Sequence, residues 1–302
     1  MINAQIIKEK AIELGAVACG IGDIKYFEGT NPQRDPKSIL PWAKCVIGFA
    51  FRVPKALYRV MEEGKQFFNY TQLGTKFIDE EMSEIFLLKM SSIIENEGYD
   101  ACLQRNVSNL RIKGDKTTNP ELGDTYELIH VEPVEPGKPA PEIIMDFNQA
   151  AQICGLGAAG KNGHVIMPKF GPYVRFVFIV TDAPLECDEP FKGNLCDGCD
   201  ECVKACPGHA IAEDGTINTW QCAVYYRGAH KSNPFMTDDF LKGDPEREAI
   251  INGDKVFDRE SAREMYKKID FLPCHPTGYS PCLCGKKCDT SCYKHLKEKN
   301  VL

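Results

Sequence analysis

The sequence lacks the features that would assign the protein to a membrane, to secretion or to nucleic acid. Its longest apolar runs, such as residues 174–180, are far too short to span a bilayer. Its first residues show no basic segment followed by an apolar core, so we expect no signal peptide. The formal net charge is −7 and the pI is about 5.5, which gives no overall basic surface for nucleic acid. These absences predict a cytoplasmic protein that is not bound to a membrane.

The chain also lacks internal repeats and low-complexity segments, and its composition is that of an ordinary globular protein. Its 302 residues suffice for two domains, and an apolar fraction of 43% supplies a sizeable core. We predict the boundary near 180–183, with domains at residues 1–183 and 184–302. Ten of the 15 cysteines lie between Cys196 and Cys292. In a reducing compartment such cysteines favour metal binding over disulfides.

The most informative feature present is a Cys-x2-Cys-x2-Cys-x3-Cys-Pro motif at Cys196, Cys199, Cys202 and Cys206. Three thiolates on one tight loop can bind three corners of an iron–sulfur cubane, and in two-cluster ferredoxins the fourth binds the other cluster. Zinc sites usually show separated cysteine pairs, and disulfide frameworks are typical of secreted domains. The motif therefore predicts a 4Fe–4S cluster.

A second cubane requires further thiolates, for which the sequence offers Cys222 and a second cysteine run near the end. Cys284, Cys288 and Cys292 are four residues apart and would lie on successive turns of one helix face. The predicted ligands of cluster one are Cys196, Cys199, Cys202 and Cys292, and those of cluster two are Cys206, Cys222, Cys284 and Cys288. Cys282 is an alternative to Cys284, and Cys274 is the expected spare cysteine.

A glycine-rich loop at residues 155–163 is the main feature of the first domain. It contains Gly-x-Gly-x-x-Gly, but the dinucleotide fingerprint must follow a strand and open a helix. Here a predicted helix precedes the loop and a strand follows it, which argues against that fingerprint. Two interpretations of residues 155–163 remain open: a loop that closely approaches a ligand, or a plain connection from a helix to a strand.

The secondary structure around this loop follows from apolar periodicity. Residues 164–167 and 174–180 are predicted to pair as a hairpin, and the apolar run from Cys45 to Phe51 predicts a central strand. Residues 67–99 predict a helix, on which the run Asp79-Glu80-Glu81 is interpreted as a solvated face.

Together these motifs resemble the epoxyqueuosine reductase family and its relatives, the reductive dehalogenases. The resemblance rests on the glycine-rich loop after Ala150-Ala151, on the turn at residues 168–172, on residues 178–185 leading into the first cysteine run, and on the isolated Cys222. It covers about residues 3–296. It implies an α+β fold, with a nitroreductase-like cobalamin-binding domain followed by a ferredoxin-like domain that holds two 4Fe–4S clusters.

The resemblance also implies an activity. An external low-potential donor of the ferredoxin or flavodoxin type would feed electrons through both clusters to a corrinoid that reduces the substrate. The residues expected to contact the cobalamin are Gly155, Gly157, Gly160, Lys161, Asn162, Gly163, Phe170 and Gly171. Asp146 is the first candidate proton donor, with a helix N-cap as the alternative role. Tyr70 is the second candidate, with a core tyrosine as the alternative.

The family resemblance indicates the substrate of this protein less clearly than it indicates the cofactors. Where the family has an Asp-Thr-x-Pro stretch followed by Glu-Arg, this chain has residues 145–150, Met-Asp-Phe-Asn-Gln-Ala, and its acidic balance does not favour tRNA binding. A reductase of the same fold that acts on a small molecule, like the dehalogenases, is therefore an alternative to a tRNA-modifying enzyme. A ferredoxin-type electron-transfer protein without its own corrinoid is a further alternative.

Overall fold

The centre of the protein is an antiparallel β-sheet. The computed structural model describes residues 2–105, 134–139, 143–269, 271–273 and 278–302. Its strands are β1 (Ala18–Asp23), β2 (Cys45–Arg52), β3 (Ala101–Gln104), β4 (Ala158–Ala159), β5 (Val165–Ile166) and β6 (Val174–Thr181). Four of them form one sheet in the order β1-β2-β6-β3, in which all neighbours are antiparallel.

Helices surround this sheet and are the main regular elements of the second half of the chain. The α-helices are α1 (Ala4–Glu13), α2 (Pro36–Ile39), α3 (Lys55–Glu62), α4 (Ser83–Glu95), α5 (Phe147–Ile153), α6 (Glu201–Ala205), α7 (Thr219–Tyr226), α8 (Arg247–Asn252), α9 (Arg259–Tyr266) and α10 (Lys287–Glu298). A 3-10 turn (Ile24–Phe27) and a π-helix (Tyr70–Met82) complete the described elements. No helix within the described ranges has both the length and the apolarity needed to cross a membrane.

The two central strands are buried on both faces, which explains their continuous apolar sequences. Ile47 of β2 faces Ile179 of β6 in register, and both are fully buried. One face of the sheet packs in an apolar cluster with residues of α1 and α4, and the other face packs with residues of α5. Strands covered on both faces do not alternate between apolar and polar residues. The strands predicted at Cys45 and at residues 174–180 are thus confirmed.

The helix predicted over residues 67–99 is present, but its first half is a π-helix, and the interpretation of its acidic run was wrong at one position. Asp79 is buried rather than solvated, and its carboxylate accepts two hydrogen bonds from the guanidinium of Arg175 on β6. The partner is 96 residues away in sequence, so local periodicity gave no sign of it. Glu80 and Glu81 do lie on the exposed side.

The predicted hairpin is also corrected by the structure. β5 pairs with β4, with Ala158 opposite Ile166, whereas β6 pairs with β2 and β3. A side chain at Gly157 would bring a Cβ within 2.4 Å of the Ile166 carbonyl oxygen, so glycine permits this tight return. Pro168 and Pro172 lie within the turn that was predicted between residues 164–167 and 174–180. Neither has a backbone N–H, so neither can donate a hydrogen bond between paired strands there.

The regular elements in the described part of residues 184–302 are five helices, joined by turns and loops, with an isolated antiparallel bridge between Ile211 and Ile217. A third apolar cluster joins α7, α8 and α9. Near the end of the chain, Cys282 and Leu283 lie in the same apolar cluster as β2, and α10 packs against α6. The second cysteine run is therefore next to both the sheet and the first cysteine run.

Candidate metal and substrate site

One group of four cysteines lies where α10 meets α6. Cys196, Cys199, Cys202 and Cys292 line the same small cavity. Burial raises the pKa of Cys292 to about 12, with further contributions from the charge of Asp289 and from the other three thiols. This set of four is the one predicted for cluster one.

A second group of thiols contains the ligands predicted for cluster two. Desolvation raises the pKa of Cys222 to about 11, and the charges of Cys284 and Cys206 add to the shift. Burial raises the pKa of Cys288 well above its usual value, as do the charges of Asp289, Cys284 and Cys222. These four thiols are thus close enough to affect one another's ionisation.

The two groups have the chemistry of iron–sulfur ligands. Thiolates bind iron, and four of them bind a cubane. Without a cation, burial and like charges oppose ionisation, which is why the pKa values of Cys222 and Cys292 lie above the ordinary range. Iron would reverse that balance and would release protons on binding. The residues therefore fit two cubane clusters.

Cys282 and Cys284 differ in their surroundings, although their Sγ atoms are only 3.8 Å apart. The charge of Cys284 acts on Cys222 and on Cys288. Cys282 is fully buried in the core and is not among the main charges that act on Cys222 or Cys288. These surroundings support Cys284 as the candidate ligand. Cys274 lies outside the described residues.

The glycine-rich loop runs along both cysteine groups. Lys161 forms an ion pair with Asp200 in the first cysteine loop. The side-chain amide of Asn162 donates to Asp289, which directly follows Cys288, over 3.0 Å. Lys161 and Asn162 both line the cavity of the first thiol group.

The other predicted cofactor residues do not line one common space. Gly155 and Phe170 line a cavity of about 480 Å³ at the edge of β1, and Gly163 lines a central cavity of about 320 Å³. An added Cβ at Gly160 would lie 2.7 Å from the Ile166 side chain, and one at Gly171 would lie 3.0 Å from Leu302. Gly157, Gly160 and Gly171 thus allow close packing within the protein.

The central cavity adjoins the second cysteine run and has a polar and an apolar wall. The polar side chains along it are Tyr58, Tyr70, Asn148, His164, Arg175, Lys286 and Asp289. Phe147, Pro172 and Phe176 supply apolar surface. Since Lys286 and Asp289 flank Cys288, this cavity lies directly beside the second thiol group.

Two carboxylates organise the charges around the central cavity. Asp79 accepts from Arg175 Nε over 2.9 Å and also from Nη2. Asp289 Oδ1 lies 2.6 Å from His164 Nδ1, and Asp289 Oδ2 lies 3.7 Å from Lys286 Nζ. Although burial alone would raise the pKa of Asp289, the charges of His164 and Lys286 hold it below its usual value.

Stacked tyrosines connect the central cavity to the first thiol group. Tyr58 stacks on Tyr173 with ring centroids 3.8 Å apart, and Tyr173 stacks on Tyr293 at 4.3 Å. Tyr293 directly follows Cys292. Tyr70 packs against Tyr58, and burial raises the pKa of Tyr70 well above its ordinary value, with the charge of Asp289 adding to the effect. Its phenol therefore keeps its proton at neutral pH.

Asp146 is a helix N-cap, which is the alternative to a proton donor that the sequence left open. Its carboxylate caps α5 and accepts hydrogen bonds from the backbone N–H groups of Asn148 and Gln149. The side chain is exposed and is not among the residues that line the central cavity. Tyr70 does line that cavity.

Sequence reasoning missed several polar residues of the central cavity. Arg175 was counted only as part of an apolar strand, and Tyr58 was not singled out. Lys286 and Asp289 carried an available signal, because they flank Cys288 within the second cysteine run. Charged residues between metal-binding cysteines commonly contact the site or its surroundings.

The fold and the two thiol groups define the class of protein as a mixed α/β protein with two groups of cysteine thiols. No known family model matches the chain. It is 26% identical to the epoxyqueuosine reductase of Cyclobacterium marinum over 246 residues, which cover 74% of this chain and 68% of that protein. The match to the enzyme of Listeria monocytogenes is 37% over 75 residues, or 25% of this chain and 20% of that protein.

Solved structures agree with these sequence matches at the level of the fold. An epoxyqueuosine reductase crystallised with a modified tRNA stem loop aligns with 90% of this chain and 67% of its own, at a TM-score of 0.50 and 18% identity. A variant of the catabolic reductive dehalogenase NpRdhA aligns with 87% of this chain and 35% of its own, at a TM-score of 0.50 and 17% identity. The predicted resemblance is confirmed: the chain is similar in sequence to proteins named epoxyqueuosine reductase, an oxidoreductase, and it shares the fold of a crystallised one.

Proposed function

We propose that the protein is an iron–sulfur reductase that carries two 4Fe–4S clusters and reduces a substrate at the central cavity. The observation that carries this proposal is the grouping of eight cysteines into two sets of four, one of which adjoins the cavity. When bound, the clusters would supply single electrons at low potential. An external ferredoxin- or flavodoxin-type donor would provide those electrons.

The residues of the protein would supply position and protons. Cys196, Cys199, Cys202 and Cys292 would hold cluster one, and Cys206, Cys222, Cys284 and Cys288 would hold cluster two. Tyr70 would give the proton that accompanies electron transfer, because its phenol lines the cavity and the nearby charge of Arg175 favours the phenolate that would remain. Asp146 is the second candidate, and its exposed position at the cap of α5 makes it the weaker one.

The family resemblance adds a corrinoid, but the described cavities do not fit a whole one. They measure about 320 and 480 Å³, and pockets of about 300–1,000 Å³ bind drug-sized ligands. A corrinoid with its nucleotide loop is considerably larger than such a ligand. We therefore derive no step through cobalamin. Titration with cob(II)alamin under anaerobic conditions tests this part, since binding would shift its absorption towards the base-off form.

The size of the central cavity also bears on the substrate. A crystallised relative binds a tRNA stem loop. A tRNA substrate and a small molecule are both compatible with the family, but an interior cavity of about 320 Å³ and a net charge of −7 favour the small molecule. Turnover of epoxyqueuosine-containing tRNA, assayed with an active reductant, distinguishes the two substrates.

The direct test is anaerobic reconstitution followed by iron and sulfide analysis. Two cubanes predict about eight iron atoms per chain and an electron paramagnetic resonance signal from reduced cubanes. About four iron atoms per chain would contradict the second cluster. Full loading without reduction of any substrate class would instead favour the electron-transfer protein.

A further inference from the structure

The walls of the central cavity carry many more hydrogen-bond donors than acceptors. Tyr58 and Tyr70 contribute hydroxyl groups, Arg175 a guanidinium and Lys286 an ammonium, whereas Asp289 contributes the carboxylate. Asp79 accepts hydrogen bonds from Nε and Nη2 of Arg175, so the third guanidinium nitrogen, Nη1, makes no hydrogen bond to Asp79. Such a surface is suited to a ligand with oxygen acceptors.

Lys286 has the least satisfied charge on this wall. Its Nζ lies 3.5 Å from His164 Nε2 and 3.7 Å from Asp289 Oδ2. Both distances exceed the usual range of about 2.7–3.2 Å for such hydrogen bonds. The side chain is only 17% exposed, so bulk water solvates it poorly. An acceptor on a bound ligand would complete its hydrogen bonding.

The charged side chains around the cavity nearly balance one another. Arg175 and Lys286 are cationic, and Asp79 and Asp289 are anionic. A carboxylate, with one negative charge, disturbs this balance less than a phosphate dianion does.

The size and the apolar wall define the rest of the ligand. A volume of about 320 Å³ corresponds to about ten water-sized volumes, so the ligand has on the order of ten non-hydrogen atoms. Phe147 and Phe176 offer aromatic surface, which favours a flat apolar body.

From these observations we propose that the central cavity binds a small organic monocarboxylate, with the carboxylate held by Lys286 and Arg175 and the apolar body against Phe147 and Phe176. This inference names the substrate class of the proposed reductase and so rests on that function. Binding needs no electrons, so it is measured separately from reduction.

The test is isothermal titration of the anaerobic, cluster-loaded protein with cinnamate and with cinnamamide, its uncharged isostere. Cinnamate is expected to bind at least about tenfold more tightly than cinnamamide, because a charge-assisted contact is lost in the amide. The variant Lys286→Met should weaken cinnamate binding by about tenfold or more. The neighbouring Lys287→Met is the matched control and should leave binding unchanged, because Lys287 does not line the cavity and its Nζ donates to Ser232.

Iron content is measured for each variant, so that loss of a cluster is not mistaken for loss of the ligand. Equal binding of cinnamate and cinnamamide, or no cinnamate binding up to about 10 mM, would overturn the proposal. If Lys286→Met fails to fold, the comparison of the two ligands on the unmodified protein decides. Tighter binding of inorganic phosphate than of cinnamate would contradict the carboxylate. None of these outcomes alters the iron count, on which the proposed reductase depends.

Discussion

Two cysteines one residue apart provide a sharp test at the scale of single residues. Cys284 interacts electrostatically with Cys222 and Cys288, whereas Cys282 is enclosed by core residues. We expect Cys284→Ser to lower the iron content from about eight to about four atoms per chain, because each cubane has four irons. Cys282→Ser should retain about eight. The opposite pattern of iron contents would reassign the ligand.

His230 makes stability depend on pH. It is buried, its Nε2 has no hydrogen-bond partner among the described residues, and burial followed by the charge of Lys287 lowers its pKa to about 4. Because the unfolded imidazole takes up a proton near pH 6.5, the unfolded state binds more protons between about pH 6.5 and 4. The stability that the protein gains from keeping His230 neutral is therefore fully present above about pH 6.5 and is lost as the pH falls towards about 4.

We expect the free energy of unfolding to drop by about 2 kcal/mol more between pH 7.5 and 5 in the unmodified protein than in His230→Gln. Denaturant unfolding at a series of pH values measures the difference. Parallel pH profiles for the two proteins would show that His230 does not titrate in this way.

At the scale of elements, the π-helix is fixed to the sheet by the pair between Asp79 and Arg175. The Asp79 side chain is only 9% exposed and that of Arg175 23%. Asp79→Asn should destabilise the protein by about 3 kcal/mol, because a buried charge loses its partner. The control is Glu81→Gln on the same helix, where the side chain is 52% exposed and the ion pair with Lys76 contributes less than about 1 kcal/mol. Equal losses in the two variants, measured by denaturant unfolding, would contradict this role.

The elements also show which features local sequence patterns determine. β2 and β6 were predictable because strands covered on both faces are apolar without interruption. The pairing of β5 with β4 was not, because an apolar run does not specify its neighbour. The grouping of the cysteines followed from spacing and from the number of ligands that two cubanes require. Cys196, Cys199, Cys202 and Cys292 line one cavity, and the binding of iron by either group stays a prediction. The burial of Asp79 and the polar wall around Arg175 depend on contacts between distant segments, which no local pattern contains.

At the scale of the whole molecule, the cysteine groups connect the last described helix to the rest of the protein. α10 carries Cys288 and Cys292, and it packs against α6, which carries Cys202. In the reconstituted protein, removal of iron by a chelator should therefore raise amide hydrogen exchange in α10 and α6, because the thiols lose the iron crosslinks that join the two helices. The central strands β2 and β6 serve as the internal control and should keep their protection. Unchanged exchange in α10 would show that its packing does not depend on iron.

The two sets of four thiols are interleaved along the chain, since each combines cysteines from the first run with cysteines beyond residue 280. During translation, the ribosome would release the first loop long before its remaining ligand exists. Neither centre can be completed until Cys288 and Cys292 have been made. For the proposed clusters, metal insertion would then follow synthesis of the second cysteine run, and a chain truncated before that run would carry two incomplete thiol sets.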